Sequence, residues 1–274
     1  MKTYLCFFAL ALPALTVAVR GDAPETGPQL GLQTYTCRNM TFDEVMDFAV
    51  AHHFKYLELA GKHLDPSAPK EEALRRKAQL AARGRGASSF GVAATSRDKE
   101  ANRKLFEFAR LMDMKFIVVE PKVMAEWDNL EDLVKEYDIK LAIHNHGTGT
   151  AYGDPVTVKK VLAARDRRIG VCLDIGWVSA AGFDVAAVFR DYGDRVFDMH
   201  IKDKIVETID GKRVATDVEI GKGNANFNGL FAAMKKVGWT GVMAIEVDRP
   251  AFAADPHPFV TAARAFFEKH VPAK

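Results

Sequence analysis

Beyond a polar stretch ending at Pro28, short apolar runs alternate with longer segments of helical periodicity, and the alternation repeats eight times. Apolar runs at 30–35, 56–59, 87–92, 115–119, 139–143, 169–173, 196–199 and 241–245 have the length and composition of buried strands. Between them, apolar residues recur three and four apart over 41–53, 71–82, 99–112, 130–137, 156–164, 185–192, 229–237 and 258–269, the pattern of helices with one buried face. The first of these opens with Thr41-Phe42-Asp43-Glu44, the form of a capping box. A longer polar excursion, 204–226, separates the seventh strand from its helix. Strands that alternate with helices imply βαβ units and parallel pairing. Eight such units with no break in composition predict a single closed (β/α)8 barrel. The competing open sheet would be favoured by a glycine-rich turn after the first strand, and none follows Tyr35.

The N-terminus adds an address. Lys2 precedes an apolar run from Tyr4 to Val19, and a polar segment containing Pro24 and Pro28 follows. That order of regions is a secretory signal, with Thr16 and Ala18 suited to the positions before the cut. The run is shorter than the roughly 20 residues of a membrane span. Residues 1–23 are therefore expected to be a cleaved leader, 24–274 the barrel, and the mature protein periplasmic or secreted with no membrane attachment. Of the three cysteines, Cys6 falls in the leader, and Cys37 and Cys172 are expected to be free thiols. A formal net charge of +2, with no basic run interleaved with aromatics, argues against a nucleic-acid surface.

In a barrel of this kind the chemistry gathers at the C-terminal ends of the strands. The second strand ends near Glu58, the fourth at Glu120, and the fifth at His144-Asn145-His146. Asp174 ends the sixth, His200 with Lys202 and Asp203 the seventh, and Glu246 with Asp248 the eighth. Charged and imidazole groups at the ends of apolar strands need partners or a cation. Six of them converging on one rim point to a divalent ion, and mixed carboxylate and imidazole donors suit Mn2+, Mg2+, Zn2+ or Fe2+. Residues two apart share a face, which pairs His144 with His146, His200 with Lys202, and Glu246 with Asp248. On that parity Lys202 is expected to reach a substrate oxygen rather than form a surface pair with Asp203. Trp177 either caps the site or packs on the rim, and Gly221-Lys222-Gly223 reads as a flexible turn.

The segments Ile143–Gly147, Gly170–Gly176, Asp198–Asp203 and Ala244–Glu246 resemble the xylose isomerase-like TIM-barrel superfamily over essentially the whole chain after the leader. Its members include sugar isomerases and epimerases, inosose dehydratases, endonuclease IV-type enzymes, and lyases or hydrolases of 3-keto-glycosides. The resemblance implies metal ligation by Asp174, His200 and Glu246. The fourth ligand lies among His144, His146 and Glu120, because His144 stands where the epimerases carry a glutamate. Trp177 likewise stands where they carry a histidine. The expected activity is proton abstraction beside a metal-polarised carbonyl of a keto-sugar or polyol, as in an isomerase or epimerase. Glu120, His146, Lys202 and Glu246 would handle protons and charge, and Glu58, His144, Trp177 and Lys202 would contact the small carbohydrate. The alternatives are a lyase or hydratase of 3-keto-glycosides, a non-catalytic sugar-binding barrel and, least favoured, a phosphodiesterase. The sequence leaves the oligomeric state open.

Overall fold

The computed structural model describes residues 27–272; the segment expected to be a leader, with Cys6, lies outside them. Eight parallel strands close into a barrel: β1 (Gln29–Gln33), β2 (Tyr56–Leu59), β3 (Gly86–Ala93), β4 (Phe116–Val119), β5 (Lys140–His144), β6 (Ile169–Asp174), β7 (Val196–Ile201) and β10 (Val242–Ile245). Sequential strands are neighbours, and β10 closes the ring against both β7 and β1. Eight helices connect or follow these strands in the predicted places: α1 (Phe42–Ala51), α2 (Lys70–Ala82), α3 (Lys99–Leu111), α4 (Glu126–Tyr137), α5 (Pro155–Ala164), α7 (Val185–Tyr192), α8 (Phe227–Val237) and α10 (Pro256–His270). Short helices α6 (Ile175–Ala180) and α9 (Pro250–Ala254) are additional.

Local chemistry explains where helices begin. Thr41 and Glu44 form the capping box, each side chain bonding the other's backbone N–H. Asp98, Asp154, Asp184 and Asp255 each accept a backbone N–H at the start of α3, α5, α7 and α10. The strands alternate between two interiors. Outward residues such as Leu32, Leu57, Ile117, Ile143, Leu173 and Met199 pack with the helices in one large core. Inward, a small separate plug of Phe116, Val118, Ala142 and Cys172 fills the barrel. Above that plug the inward positions become polar.

The excursion after β7 is not structureless. It contains an antiparallel hairpin, β8 (Lys204–Ile209) and β9 (Lys212–Asp217), whose first and last residues pair with each other. The turn around Gly221-Lys222-Gly223 is pinned rather than flexible. The backbone N–H groups of Gly221, Gly223 and Ala225 all donate to the carboxylate of Asp203. Asp203 is thereby committed to the loop, and Lys202 makes no pair with it. Cys37 and Cys172 are free and buried.

Candidate active site

Each of the six strand ends singled out from the sequence lies at the C-terminal rim, and the structure divides them into a central group and two flanks. At the centre, one donor atom from each of His144, Asp174, His200 and Glu246 lies within 4.8 Å of the others. His144 Nε2 is 3.1 Å from His200 Nδ1 and 3.5 Å from Asp174 Oδ2. His200 Nδ1 is in turn 2.8 Å from Glu246 Oε2. The four come from β5, β6, β7 and the end of β10, consecutive around the ring, so backbone pairing sets their spacing.

Asp174 shows how the fold aims a donor. As the last residue of β6 and the N-cap of α6, it accepts the backbone N–H of Trp177 on Oδ1 at 2.8 Å. Asn145 brackets its backbone, accepting from Asp174 N and donating to Asp174 O. Oδ2 is left facing the central group. Gly176 follows for a steric reason: a Cβ there would lie 2.8 Å from Lys202 Cγ. The Asp-x-Gly pattern thus sets a donor and clears room for the neighbouring lysine.

Behind the central group stands Glu58. Its Oε1 is 3.1 Å from His200 Nε2 and accepts from Gln33 Nε2 at 2.7 Å, while its Oε2 accepts from Ser89 Oγ at 3.0 Å. This contact fixes the ring of His200 with Nδ1 toward the cluster, the carboxylate–histidine support common behind metal ligands. Below lies Asp198, fully buried beside Glu58. Burial, then the charge of Glu58, pushes its carboxyl well above the usual range.

One flank carries His146 and Glu120, with His146 Nδ1 donating to Glu120 Oε2 at 2.6 Å. Burial works against a charge on His146, but this bond and the charge of Glu120 outweigh it and raise its pKa. His144, by contrast, is lowered by burial. His146 is more open than the central group, at 37% side-chain exposure against 1% for His144, so it can meet an incoming molecule.

On the other flank Lys202 Nζ lies 3.1 Å from Asp174 Oδ2, 2.8 Å from Glu246 Oε2 and 2.9 Å from Asp248 Oδ2. Burial disfavours its charge, yet these carboxylates hold its pKa well above that of a free lysine. Asp248 Oδ2 also reaches Lys204 Nζ at 3.2 Å, and Lys204 pairs with Asp217 across the hairpin. Lys204 Nζ sits 3.7 Å from the centre of the Trp177 ring, which also faces His146 at 6.0 Å between centroids. Trp177 therefore spans the two flanks.

The donor set fits a divalent cation. Despite the nearness of Lys202, neither Asp174 Oδ2 nor Glu246 Oε2 receives a well-aligned hydrogen bond among the described residues. Around the cluster four carboxylates (Asp174, Asp217, Glu246, Asp248) stand against the ammonium groups of Lys202 and Lys204. Two imidazole nitrogens and two carboxylate oxygens suit Zn2+, Fe2+ or Mn2+.

A family model described as the xylose isomerase-like TIM barrel matches residues 46–270. The chain belongs to this family. Among curated relatives, the inosose dehydratase of Clostridium perfringens is 26% identical over 174 residues, covering 58% of each chain. The inosose dehydratase of Klebsiella pneumoniae is 23% identical over 162 residues, so the match spans about half the relative's length, 54% of each chain. Among solved structures, the IolI protein with a bound zinc atom superposes with a TM-score of 0.72 at 16% identity, over 89% of this chain and 98% of that one.

Proposed function

We propose that this xylose isomerase-like barrel is a metal-dependent enzyme acting on a neutral keto-polyol, removing the proton beside its carbonyl and expelling the hydroxyl on the next carbon. One observation carries this reading: two proton-handling groups of different kinds meet at the site, one within the central cluster and one on its flank. Glu246 is a carboxylate held ionised by Lys202 and His200 against the cost of burial. His146 is an imidazole hydrogen-bonded to Glu120. Where the epimerases of this family carry a glutamate on the fifth strand, His144 stands here and turns Nε2 into the cluster, which disfavours a pair of carboxylate bases in those two places.

His144, Asp174, His200 and Glu246 would hold the ion, which when bound polarises the substrate carbonyl. Glu58 positions His200. The carboxylate of Glu246 takes the proton, and the C–H electron pair moves into the enolate. Lys202 Nζ, at the edge of the cluster, stabilises the oxygen that gains charge. The C–O bond of the neighbouring hydroxyl then breaks, and His146 supplies the proton with which it departs as water. Glu246 is left protonated and His146 neutral, and one proton passed between them resets the site. Trp177 offers a flat wall to the ring of the substrate. A neutral substrate is favoured because the charges of Lys202 and Lys204 are already matched by Asp174, Asp217, Glu246 and Asp248, so neither adds the surplus positive charge that a phosphate dianion would call for. The leader pattern of residues 1–23 supports a site of action outside the cytoplasm.

The second reading is isomerisation, in which the enolate is reprotonated on carbon, with a proton exchanged with solvent, instead of losing hydroxide. Incubating Mn2+- or Zn2+-loaded protein with an inosose and a panel of neutral keto-sugars in D2O separates the two. Loss of water supports elimination, whereas deuterium uptake without loss of water supports isomerisation. If every member of the panel is left unexchanged by metal-loaded protein, a sugar-binding barrel replaces both.

A further inference from the structure

Lys202 and the ion expected at the cluster call on the same atoms. Asp174 Oδ2 and Glu246 Oε2 are the carboxylate oxygens nearest the donor nitrogens of His144 and His200, and they are also the oxygens approached by Lys202 Nζ at 3.1 and 2.8 Å. A buried ammonium next to two carboxylates is a ready-made counterion. Left to itself it would settle between them and oppose a second cation by charge as well as by space.

What holds Lys202 back lies outside the cluster. Its third partner, Asp248 Oδ2, is not a member of the cluster and is itself bonded to Lys204 Nζ. Lys204 is almost fully buried, paired with Asp217 and laid over the face of Trp177. Asp217 closes the chain: its Oδ2 accepts the backbone N–H groups of both Asp248 and Arg249, and its Oδ1 takes Lys204. The hairpin ends, Lys204 and Asp217, thus clamp the loop after β10 and fix where Asp248 can stand. Signs alternate without a gap from the cluster outward: Asp174, Lys202, Asp248, Lys204, Asp217.

We propose that Lys202 competes with the metal for Asp174 and Glu246, and that Asp248, held in place by Lys204 and Asp217, draws the ammonium aside so that the metal prevails. Lys204, Asp217 and Asp248 are then positioning residues. They touch neither metal nor substrate, and they act by setting the place of Lys202. This rests on the reading of the four-residue cluster as a metal site, but not on the identity of the reaction.

The test is zinc affinity by calorimetry on the full chain, with no substrate. Asp248→Asn and Asp217→Asn should each weaken Zn2+ binding at least tenfold. Adding Lys202→Met to either variant should return the affinity to within a few-fold of wild type, since the competitor is gone. Reversal by a second substitution separates this from general damage to the loop. Where Lys202→Met impairs folding, Lys202→Gln serves, with thermal melting to confirm an intact barrel. Unchanged affinity in both Asp variants, or a loss that Lys202 substitution does not reverse, overturns the proposal while leaving the metal site standing. Absence of Zn2+ binding by the wild type and by Lys202→Met alike removes the metal site and the proposal together.

Discussion

Glu58 and His200, 142 residues apart in sequence, meet at 3.1 Å through Oε1 and Nε2, and that contact decides which nitrogen of His200 faces the cluster. Replacing Glu58 by Gln keeps the shape but removes the charge that orients and enriches the imidazole. Zn2+ affinity is expected to fall roughly 10–100-fold, as for other outer carboxylates behind metal-bound histidines. Helical circular dichroism should stay unchanged. An affinity equal to wild type would show that His200 keeps its orientation without Glu58.

Asp174 and His200 are expected to be indispensable for the ion. Asp174→Ala or His200→Ala should lower bound metal to a small fraction of wild type in elemental analysis, with the barrel still folded. Full occupancy in either variant would move the metal elsewhere.

The two histidines of the fifth strand are expected to part company. His144→Gln should lose metal, because its Nε2 belongs to the central group. His146→Gln should keep metal and lose about 100-fold or more in kcat, the usual scale for a proton donor. Were both variants to retain metal and rate, the fifth strand would be structural.

The thiols give a check on both the core and the leader. Burial pushes the Cys37 thiol up to about 12 and raises Cys172 well above its ordinary value. A thiol reacts as its thiolate, so at pH 8 Cys37 stays almost wholly in the unreactive thiol form. Ellman's reagent should therefore label neither in the native protein. In denaturant it should count two thiols if the leader has been removed and three if Cys6 remains. N-terminal sequencing of native protein should begin between about Val19 and Ala23, and an intact Met1 in the soluble cytoplasmic fraction would contradict export.

Much of this arrangement was legible in the chain because two regularities do most of the placing. Apolar runs set the strands to within a few residues, and polar groups at their ends then had to share one rim. Lys204 escaped that logic because it lies beyond the end of β7, although extending the alternation of His200 and Lys202 by one step would have reached it. The hairpin 204–217 was hidden for a different reason. Ile205 and Val206 are half-buried and the remainder of the ribbon is largely exposed, so no apolar face marks it. Asp217 became visible only once the hairpin paired it with Lys204. Glu58 could be placed on the rim from sequence, but its neighbours Gln33 and Ser89 lie on other strands, and nothing in their local context distinguishes them.

The two apolar interiors have a consequence for how such a protein can change. The seal between sheet and helices is made by side chains such as Leu57, Ile143 and Met199, which point away from the mouth. The plug of Phe116, Val118, Ala142 and Cys172 closes the barrel from within. None of His144, Asp174, His200 or Glu246 belongs to either, so a donor can be exchanged for another of similar size while both seals stay shut. Heat resistance and choice of reaction then answer to different sets of residues, and each can drift under selection without waiting for the other.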